Sequence, residues 1–222
     1  MQSHAAAAQE PTAMTTQDLT TFTESGANAP LFTVLSGSVS VDANSVLDAK
    51  LWKDFGAGHF FNFVHDDIDL NVTAVGAASA FIVWVVSNVP GNWLELVAAD
   101  GACWLEVSPL GAGYQLRLFE SVTTQHIAAS MELDFGTDYT IAVTRSGTLI
   151  LAVISTISDG PVDLMVLAIN GSFTFRYLTA AATRGAGLGS VTTLTIGAMD
   201  INEAEALPRS RNRFRNRGRG IR

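Results

Sequence analysis

The residues that could bind a metal ion are concentrated in one short segment, HDDID at residues 65–69. If this segment is a β-strand, His65, Asp67 and Asp69 share one face, because side chains alternate between the two faces of a strand. Zinc ligands normally converge from several segments, so we expect a solvated sheet face here. Calcium prefers oxygen ligands from loops, and the candidates are Asp100, Asp159 and Asp163, of which the first two are equally explained as turn residues. The sequence predicts no cofactor, with calcium as the open alternative.

Four tryptophans raise the question of stacking against sugar rings. Trp84 lies inside the apolar run FIVWVV and is predicted to belong to the core. Trp93 follows the turn signal Pro90–Gly91–Asn92, so it is predicted to lie at a rim, where it could bind a ligand. The single cysteine, Cys103, rules out an intrachain disulfide and is predicted to be a buried apolar residue.

The C-terminal segment PRSRNRFRNRGRGIR has an unusual composition. It contains seven arginines and no acidic residue: Arg209, Arg211, Arg213, Arg215, Arg217, Arg219 and Arg222. In an extended chain, the six arginines that recur at every second residue from 209 to 219 line one side at intervals of roughly 6.5–7 Å. Such a ribbon can neutralise a line of phosphates, lie in an acidic groove of a neighbouring subunit, or remain a disordered solubilising tail. We predict an assembly or polyanion-binding role for these arginines.

Charge is distributed unevenly over the 222 residues. Seven of the 13 basic residues lie in the tail, which leaves six against all 21 acidic residues in the remainder, so the body is formally −15 and the tail +7. Such asymmetry is typical of an interaction tail. With 48% apolar and only 15% charged residues, the chain can fill a large core or a subunit interface. It has neither a long apolar run nor the features of a secretory signal, so we expect no membrane span.

Two polar extensions flank a region rich in β-structure. Residues 1–29 are rich in Thr, Ala and Gln and predict an arm that does not pack by itself. Residues 30–206 contain short runs with period-two alternation, separated by Gly, Asn, Asp and Pro, and predict an all-β sandwich or barrel. Residues 207–222 form the arginine-rich tail.

Individual runs predict individual strands, among them WLELVAA (93–99) and IAASMELDF (127–135). The firmest local prediction is a hairpin. Because Ser146–Gly147 supplies a tight turn, TLILAVISTI should pair directly with YTIAVTR.

Three segments together resemble the laminin-G-like, concanavalin A-like lectin–glucanase superfamily. DAKLWKDFGAGHFFNFVHDDIDLNVTA is similar to its opening strands, YTIAVTRSGTLILAVIS to its central hairpin, and VDLMVLAINGSFTFRYLTAAA with VTTLTIGAMDINE to its closing portion. The resemblance covers about residues 31–205 as an order of strands. It implies a two-sheet antiparallel jelly-roll sandwich whose last strand returns beside the first. Members bind glycans, proteins or calcium, and some hydrolyse polysaccharides, so the fold alone does not select a function.

Hydrolases of that superfamily carry Glu-x-Asp-x-x-Glu or Glu-x-Asp-x-Glu on one strand, which supplies the two carboxylates of a retaining mechanism. In MELDFGTDYT, Glu132 and Asp134 match the start of this pattern. Gly136 and Thr137 occupy the two positions allowed for the third carboxylate, and Asp138 comes one residue too late. We therefore predict that no catalytic residue lies here.

The leading hypothesis is a non-enzymatic structural or decoration protein of a large assembly, with a bacteriophage virion as the expected location. In this hypothesis the sandwich faces outward, and the arm and tail hold neighbouring subunits of the same or another structural protein. The first alternative is a carbohydrate-binding module or adhesin that binds surface glycans through Trp93. The second is a glycan hydrolase with a degenerate site. Nucleic acid is a further candidate partner for the arginine tail, and no membrane partner is expected.

Overall fold

A computed structural model of the chain describes residues 14–44, 48–57, 66–76, 81–92, 95–96, 101–121, 126–146, 149–156, 158–168, 175–183 and 191–202. Fifteen strands have described bounds: β1 (Met14–Thr16), β2 (Thr23–Ser25), β3 (Thr33–Leu35), β4 (Ser38–Asn44), β5 (Lys50–Asp54), β6 (Asp66–Val75), β7 (Phe81–Ser87), β8 (Ala102–Leu110), β9 (Gly113–Ser121), β10 (His126–Ala129), β11 (Asp138–Ser146), β12 (Leu149–Thr156), β13 (Gly160–Ala168), β14 (Tyr177–Thr183) and β15 (Val191–Asn202).

The strands form two antiparallel sheets. Sheet A has the order β13-β12-β11-β6-β15-β4-β3, with β1 also paired to β15, and sheet B has the order β10-β9-β8-β7-β14-β5-β2. The predicted all-β, two-sheet jelly-roll sandwich is therefore confirmed. Among the described residues, helical structure is limited to a 3-10 helix at Leu19–Thr21 and a short turn at residues 95–96. Neither is long enough to cross a membrane.

Side-chain alternation builds the core between the sheets. In β6, Ile68, Leu70 and Val72 are buried in this core, so Asp67 and Asp69 point to the outer face of sheet A. Strand β7 departs from simple alternation because all seven of its residues are buried. Its second face packs into another apolar cluster on the outer face of sheet B, formed by Ile82, Val85, Leu96, Ala102, Trp104, Phe119 and Ala182. Both sheet B faces are therefore partly covered.

The predicted central hairpin is confirmed. Strands β11 and β12 pair without a break from Tyr139 opposite Thr156 to Ser146 opposite Leu149. The last strand also returns beside the first, since β15 pairs with β1, β4 and β6. These pairings follow the strand order that the family resemblance implied.

Part of the expected N-terminal arm belongs to the sandwich. Strand β1 pairs with β15, β2 pairs with β5, and Leu19 and Phe22 are buried in the core. The expectation that residues 1–29 do not pack is thus wrong for residues 14–29, because the sheet edges supply partners that the segment lacks by itself. Residues 1–13 lie outside the described part of the chain, as does the boundary predicted near residue 206.

The run WLELVAA was expected to be a strand, but its described residues, Glu95 and Leu96, are helical. Asn92 explains the difference because it caps this turn. Its side-chain Oδ1 accepts a hydrogen bond from the Glu95 amide at 3.1 Å, and the Glu95 carboxylate accepts one from the Asn92 amide at 2.7 Å. This reciprocal pair is a capping box, which starts a helix.

Candidate functional site

A row of side chains crosses the outer face of sheet B. On successive strands from β9 to β5, Phe119 lies opposite Trp104, Trp104 opposite Val85, Val85 opposite Thr179, and Thr179 opposite Trp52. Neighbouring strands are about 4.8 Å apart, so Trp104 and Trp52 are separated by about 14 Å. The face therefore carries an aromatic side chain near each end of the row.

At the β8–β9 end of the row lies a stacked aromatic pair. The rings of Trp104 and Phe119 lie 5.0 Å apart and within 4° of parallel, and both are buried. The indole Nε1 of Trp104, the hydroxyl of Thr179 and the hydroxyl of Ser108 are buried without a hydrogen-bond partner. A buried polar group of this kind costs about 1–3 kcal/mol. Because these groups are enclosed, a ligand does not reach them in this structure.

A buried ion pair lies beside the aromatic pair. Glu106 on β8 and Arg117 on β9 are directly opposite in the register, and the Arg117 guanidinium donates to the Glu106 carboxylate. The Glu106 side chain is fully buried, whereas Arg117 is 30% exposed and also lies over the Phe119 ring at 5.2 Å. The guanidinium therefore neutralises a carboxylate that could not be buried alone.

The β5 end of the row is partly open to solvent. Trp52 and Tyr177 make an edge-to-face contact at 5.6 Å, and the Trp52 indole donates to the Ser25 hydroxyl. Next to them, Arg176 forms a two-point ion pair with Asp54. The hydrogen bond from Arg176 lowers the pKa of Asp54 to about 2. Because this pKa is depressed, the contribution of the pair is complete above the ordinary carboxyl range and is lost as the pH falls through about 2.

The outer face of sheet A carries an exposed apolar stripe at its β12–β13 edge. Leu149 lies opposite Ala168, Leu151 opposite Val166, and Val153 opposite Leu164, and these six residues define the apolar stripe. Leu149, Leu164 and Val166 are 43%, 53% and 50% exposed, although they belong to regular strands. An apolar patch of this kind marks a contact surface more often than an isolated exposed leucine does.

Next to the apolar stripe lies a set of carboxylates, which we call the acidic stripe: Asp67 and Asp69 on β6, Asp138 on β11 and Asp200 on β15. Asp67 and Asp200 are directly opposite on neighbouring strands. Thr140 donates to Asp69 and Asn71 donates to Asp138, each at 2.7 Å, around a shallow depression of about 150 Å³. None of the five described Lys and Arg residues belongs to this face: Lys50, Lys53, Arg117, Arg145 and Arg176.

The segment considered as a metal site, residues 65–69, is divided between two environments. Asp67 and Asp69 lie on the outer face of sheet A, as expected for a sheet face. Asp66 points inward and is fully buried. Among the described residues, no three His, Cys, Asp or Glu side chains are grouped to hold a metal ion.

The described calcium candidates have hydrogen-bond partners within the protein. Asp159 accepts from the Ser158 hydroxyl within its turn, and Asp163 accepts from the Met131 amide. Asp100 and His65 lie outside the described residues. The described geometry therefore favours turn formation over calcium binding for Asp159.

The hydrolase candidates also have structural roles. The run expected as a strand to residue 135 is a regular strand only to Ala129 and pairs with β9 again through a bridge between Leu133 and Tyr114. Glu132 accepts hydrogen bonds from the amides of Ala112 and Gly113 in the β8–β9 turn. Asp134 is exposed. These carboxylates stabilise or border a turn and do not converge on a cleft.

A polar cluster is buried between the sheets at the opposite end of β8 and β9. Asp66 accepts a hydrogen bond from the Trp84 indole at 2.9 Å, so the predicted core tryptophan also binds a buried carboxylate. Burial raises the pKa of the Cys103 thiol, and the nearby Glu120 carboxylate adds to this effect. The thiol therefore stays protonated. Burial lowers the pKa of Arg145, and nearby Cys103 and Glu120 oppose that shift. The cluster is enclosed, so we assign it to the core.

The remaining predicted site residues, Trp93 and the seven arginines of the tail, lie outside the described residues. Sequence reasoning did not identify the Glu106–Arg117 pair. The Gly111–Ala112 turn would have placed these two residues opposite each other, because a hairpin turn fixes the register of its strands.

No family model matches this chain, and no curated protein matches it. Several solved structures have a similar fold. The CBM2 module of the evolved Dit of Lactobacillus casei BL23 phage J-1 is similar with a TM-score of 0.58 and 10% identity, over 86% of this chain and 96% of that one. The fold is a concanavalin A-like jelly roll.

Two further structures show how broadly this fold is used. The VIP36 exoplasmic/lumenal domain, bound to Ca²⁺ and Man2, has a TM-score of 0.57 and 13% identity over 83% of this chain and 81% of that one. The alginate lyase of Klebsiella pneumoniae has a TM-score of 0.57 and 8% identity over 80% and 86%. At such identities the likeness establishes the fold, and function must be argued from the surfaces of this chain.

Proposed function

We propose that this chain is a non-enzymatic structural protein of a large assembly, with a virion as its location. The observation that carries the proposal is the apolar stripe on the exposed edge of sheet A. Natural sheets protect their edges with short strands, charges or prolines, because an open edge pairs with other chains.

The four edge strands of the described sandwich differ in how well they are protected against pairing with other chains. Strands β3, β10 and β2 have only three, four and three residues, whereas β13 has nine. Strand β13 has proline at its second position and one charged residue, Asp163, and the LMVLA run that follows has neither. The β13 edge therefore lacks the usual protection, as expected of an edge that contacts another molecule.

Charge supports the same proposal. The tail carries +7 and the body −15, and the acidic stripe has no described Lys or Arg on its face. A cationic extension attached to an acidic sandwich is suited to binding neighbouring copies or a polyanion such as nucleic acid. A non-enzymatic role also agrees with the turn-stabilising role of Glu132.

Deletion of residues 209–222 is expected to reduce incorporation into particles at least about tenfold while the sandwich stays folded, because the tail supplies contacts outside the core. The measurement is gradient sedimentation of material from producing cells, with immunodetection of the chain. The control is the full chain with all seven arginines changed to lysine, which keeps the charge. A parent chain found only as slowly sedimenting free protein would refute the proposal.

A second candidate function, glycan binding, is favoured by the row on sheet B. At the β5 end of the row, the partly exposed rings of Trp52 and Tyr177 lie beside the exposed Arg176–Asp54 ion pair, which combines hydrogen-bonding groups with aromatic faces. Sugars are recognised by such combinations because their hydroxyls need partners and their apolar faces stack on rings.

For this candidate, Trp52→Ala is expected to weaken binding on a glycan array by at least about tenfold, since it removes the accessible ring. Ser25→Ala is the matched control, because it deletes the hydrogen bond to the Trp52 indole and keeps the ring. Trp93→Ala tests the rim residue predicted from sequence. Absence of binding by the parent chain, or equal losses in Trp52→Ala and Ser25→Ala, would count against the row as a glycan site.

A further inference from the structure

We propose that the apolar stripe is covered by a second copy of this chain, related by a two-fold axis parallel to the strands of sheet A. The inference rests on the proposed assembly function and names its partner. In such an interface, the stripe of one copy faces the stripe of the other, and the arginine tail of each copy lies over the acidic stripe of its partner.

The shape and charge of the stripe suit a copy of itself. A two-fold interface needs only one patch, because the same surface serves both subunits. The six residues of the apolar stripe carry no charge and lie in three directly opposed pairs, so two such surfaces can pack as two sheets do, about 10 Å apart. A charged partner surface would lose hydration here without gaining a counter-charge.

The acidic stripe selects the direction of the axis. It borders the apolar stripe on one side only, across β11 and β6. A two-fold axis perpendicular to the strands would place the acidic stripes of the two copies against each other. An axis parallel to the strands places them on opposite sides of the dimer, which avoids like-charge repulsion.

The tail can reach the acidic stripe of the partner. Twenty residues follow β15, and extended chain covers at most about 3.3–3.6 Å per residue, so they span up to about 65–70 Å. With the axis between β12 and β13, β15 lies 3.5 strand positions on one side and the partner's β6 lies 2.5 positions on the other, so the tail must cross about 29 Å. The tail is also needed energetically, because six side chains bury less than the roughly 800 Å² per partner of a standard interface.

The spacing of charges agrees with this placement. Asp67 and Asp69 are two residues apart on β6, and the tail arginines recur every second residue from 209 to 219. Both series therefore repeat at roughly 6.5–7 Å when extended. Contacts between them would be screened by salt, whereas contacts between the apolar stripes would not.

The test is sedimentation equilibrium of the full chain at low and high salt. We expect a dimer whose dissociation constant rises at least about tenfold on Leu164→Lys, while Leu35→Lys leaves it unchanged. Leu35 is the matched control because it is an exposed leucine of sheet A outside the stripe, at 60% exposure against 53% for Leu164. Asp69→Asn should reduce the salt dependence of dimerisation, and Asp134→Asn, at an exposed carboxylate elsewhere, should not.

Cross-linking gives a second readout. Val166→Cys should form a dimer with a short bis-maleimide, and Leu35→Cys should not, without background from Cys103 because that thiol is buried. A chain that remains monomeric at low salt, or that responds equally to Leu164→Lys and Leu35→Lys, overturns the second-copy proposal. If such a chain still sediments with particles, the assembly function stands and only its partner is wrong. If it dimerises but never joins particles, the assembly function fails and the dimer stands.

Discussion

Replacing Arg117 with methionine is expected to destabilise the fold by about 2–4 kcal/mol. The change removes the counter-charge of Glu106, whose side chain is fully buried on the outer face of sheet B. Breaking a buried pair from one side is costly because the remaining carboxylate loses that counter-charge without regaining water. Urea unfolding, followed by the tryptophan fluorescence, measures the effect as a lower midpoint at constant slope.

Two controls isolate the buried charge as the cause. Arg176→Met makes the same chemical change in the exposed pair with Asp54 and should leave the unfolding midpoint close to that of the parent. The double variant Glu106→Leu with Arg117→Met should recover most of the loss, because a well-packed apolar pair can replace a buried ion pair. If Arg117→Met and Arg176→Met behave alike, Glu106 is solvated in solution and the interpretation is wrong.

The substitution Trp84→Phe is expected to cost about 2–3 kcal/mol. It keeps an aromatic ring in the core but removes the indole N–H that donates to buried Asp66 at 2.9 Å. Hydrogen bonds to charged groups contribute more than neutral ones, and the smaller ring also leaves unfilled volume. Thermal or urea unfolding of the purified variant gives the difference directly.

Trp52→Phe is the matched comparison for this loss. Its indole donates to the neutral hydroxyl of Ser25 in a partly exposed position, so we expect about 1 kcal/mol or less. Adding Asp66→Asn to Trp84→Phe should restore part of the stability, because a neutral amide is easier to bury than a carboxylate. Equal effects of Trp84→Phe and Trp52→Phe would show that ring volume, not the buried carboxylate, determines the cost.

Local sequence rules predicted the features that depend on neighbouring residues. The turn signal Ser146–Gly147 correctly predicted the β11–β12 hairpin, and the alternation of apolar residues in β6 separated Asp67 and Asp69 from the core. The same rules failed where burial depends on a distant segment. By the alternation of side chains along β8, Trp104 should point out to solvent. It is nevertheless buried because a second apolar cluster covers that part of sheet B.

The candidate surfaces were harder to predict than the strands. The apolar stripe is visible only after β13 is known to be an edge strand, which depends on the order of all the strands in sheet A. Similarly, WLELVAA has strand-like composition, but the capping box of Asn92 and Glu95 outweighs it at this position. The packing of residues 14–29 could not be predicted from their polar composition because β15 and β5 supply their partners.

The pairing of Met14 with Asn202 has a mechanical consequence. Both described chain ends leave from adjacent strands, whereas the β8–β9 turn lies at the far pole, where Tyr114 contacts Tyr139 opposite Leu70. Force applied at Met14 or at Asn202 therefore acts on the same end of β15, in the interior of sheet A. The segments that continue from Met14 and Asn202 therefore both start at one end of the sandwich, away from the β8–β9 turn.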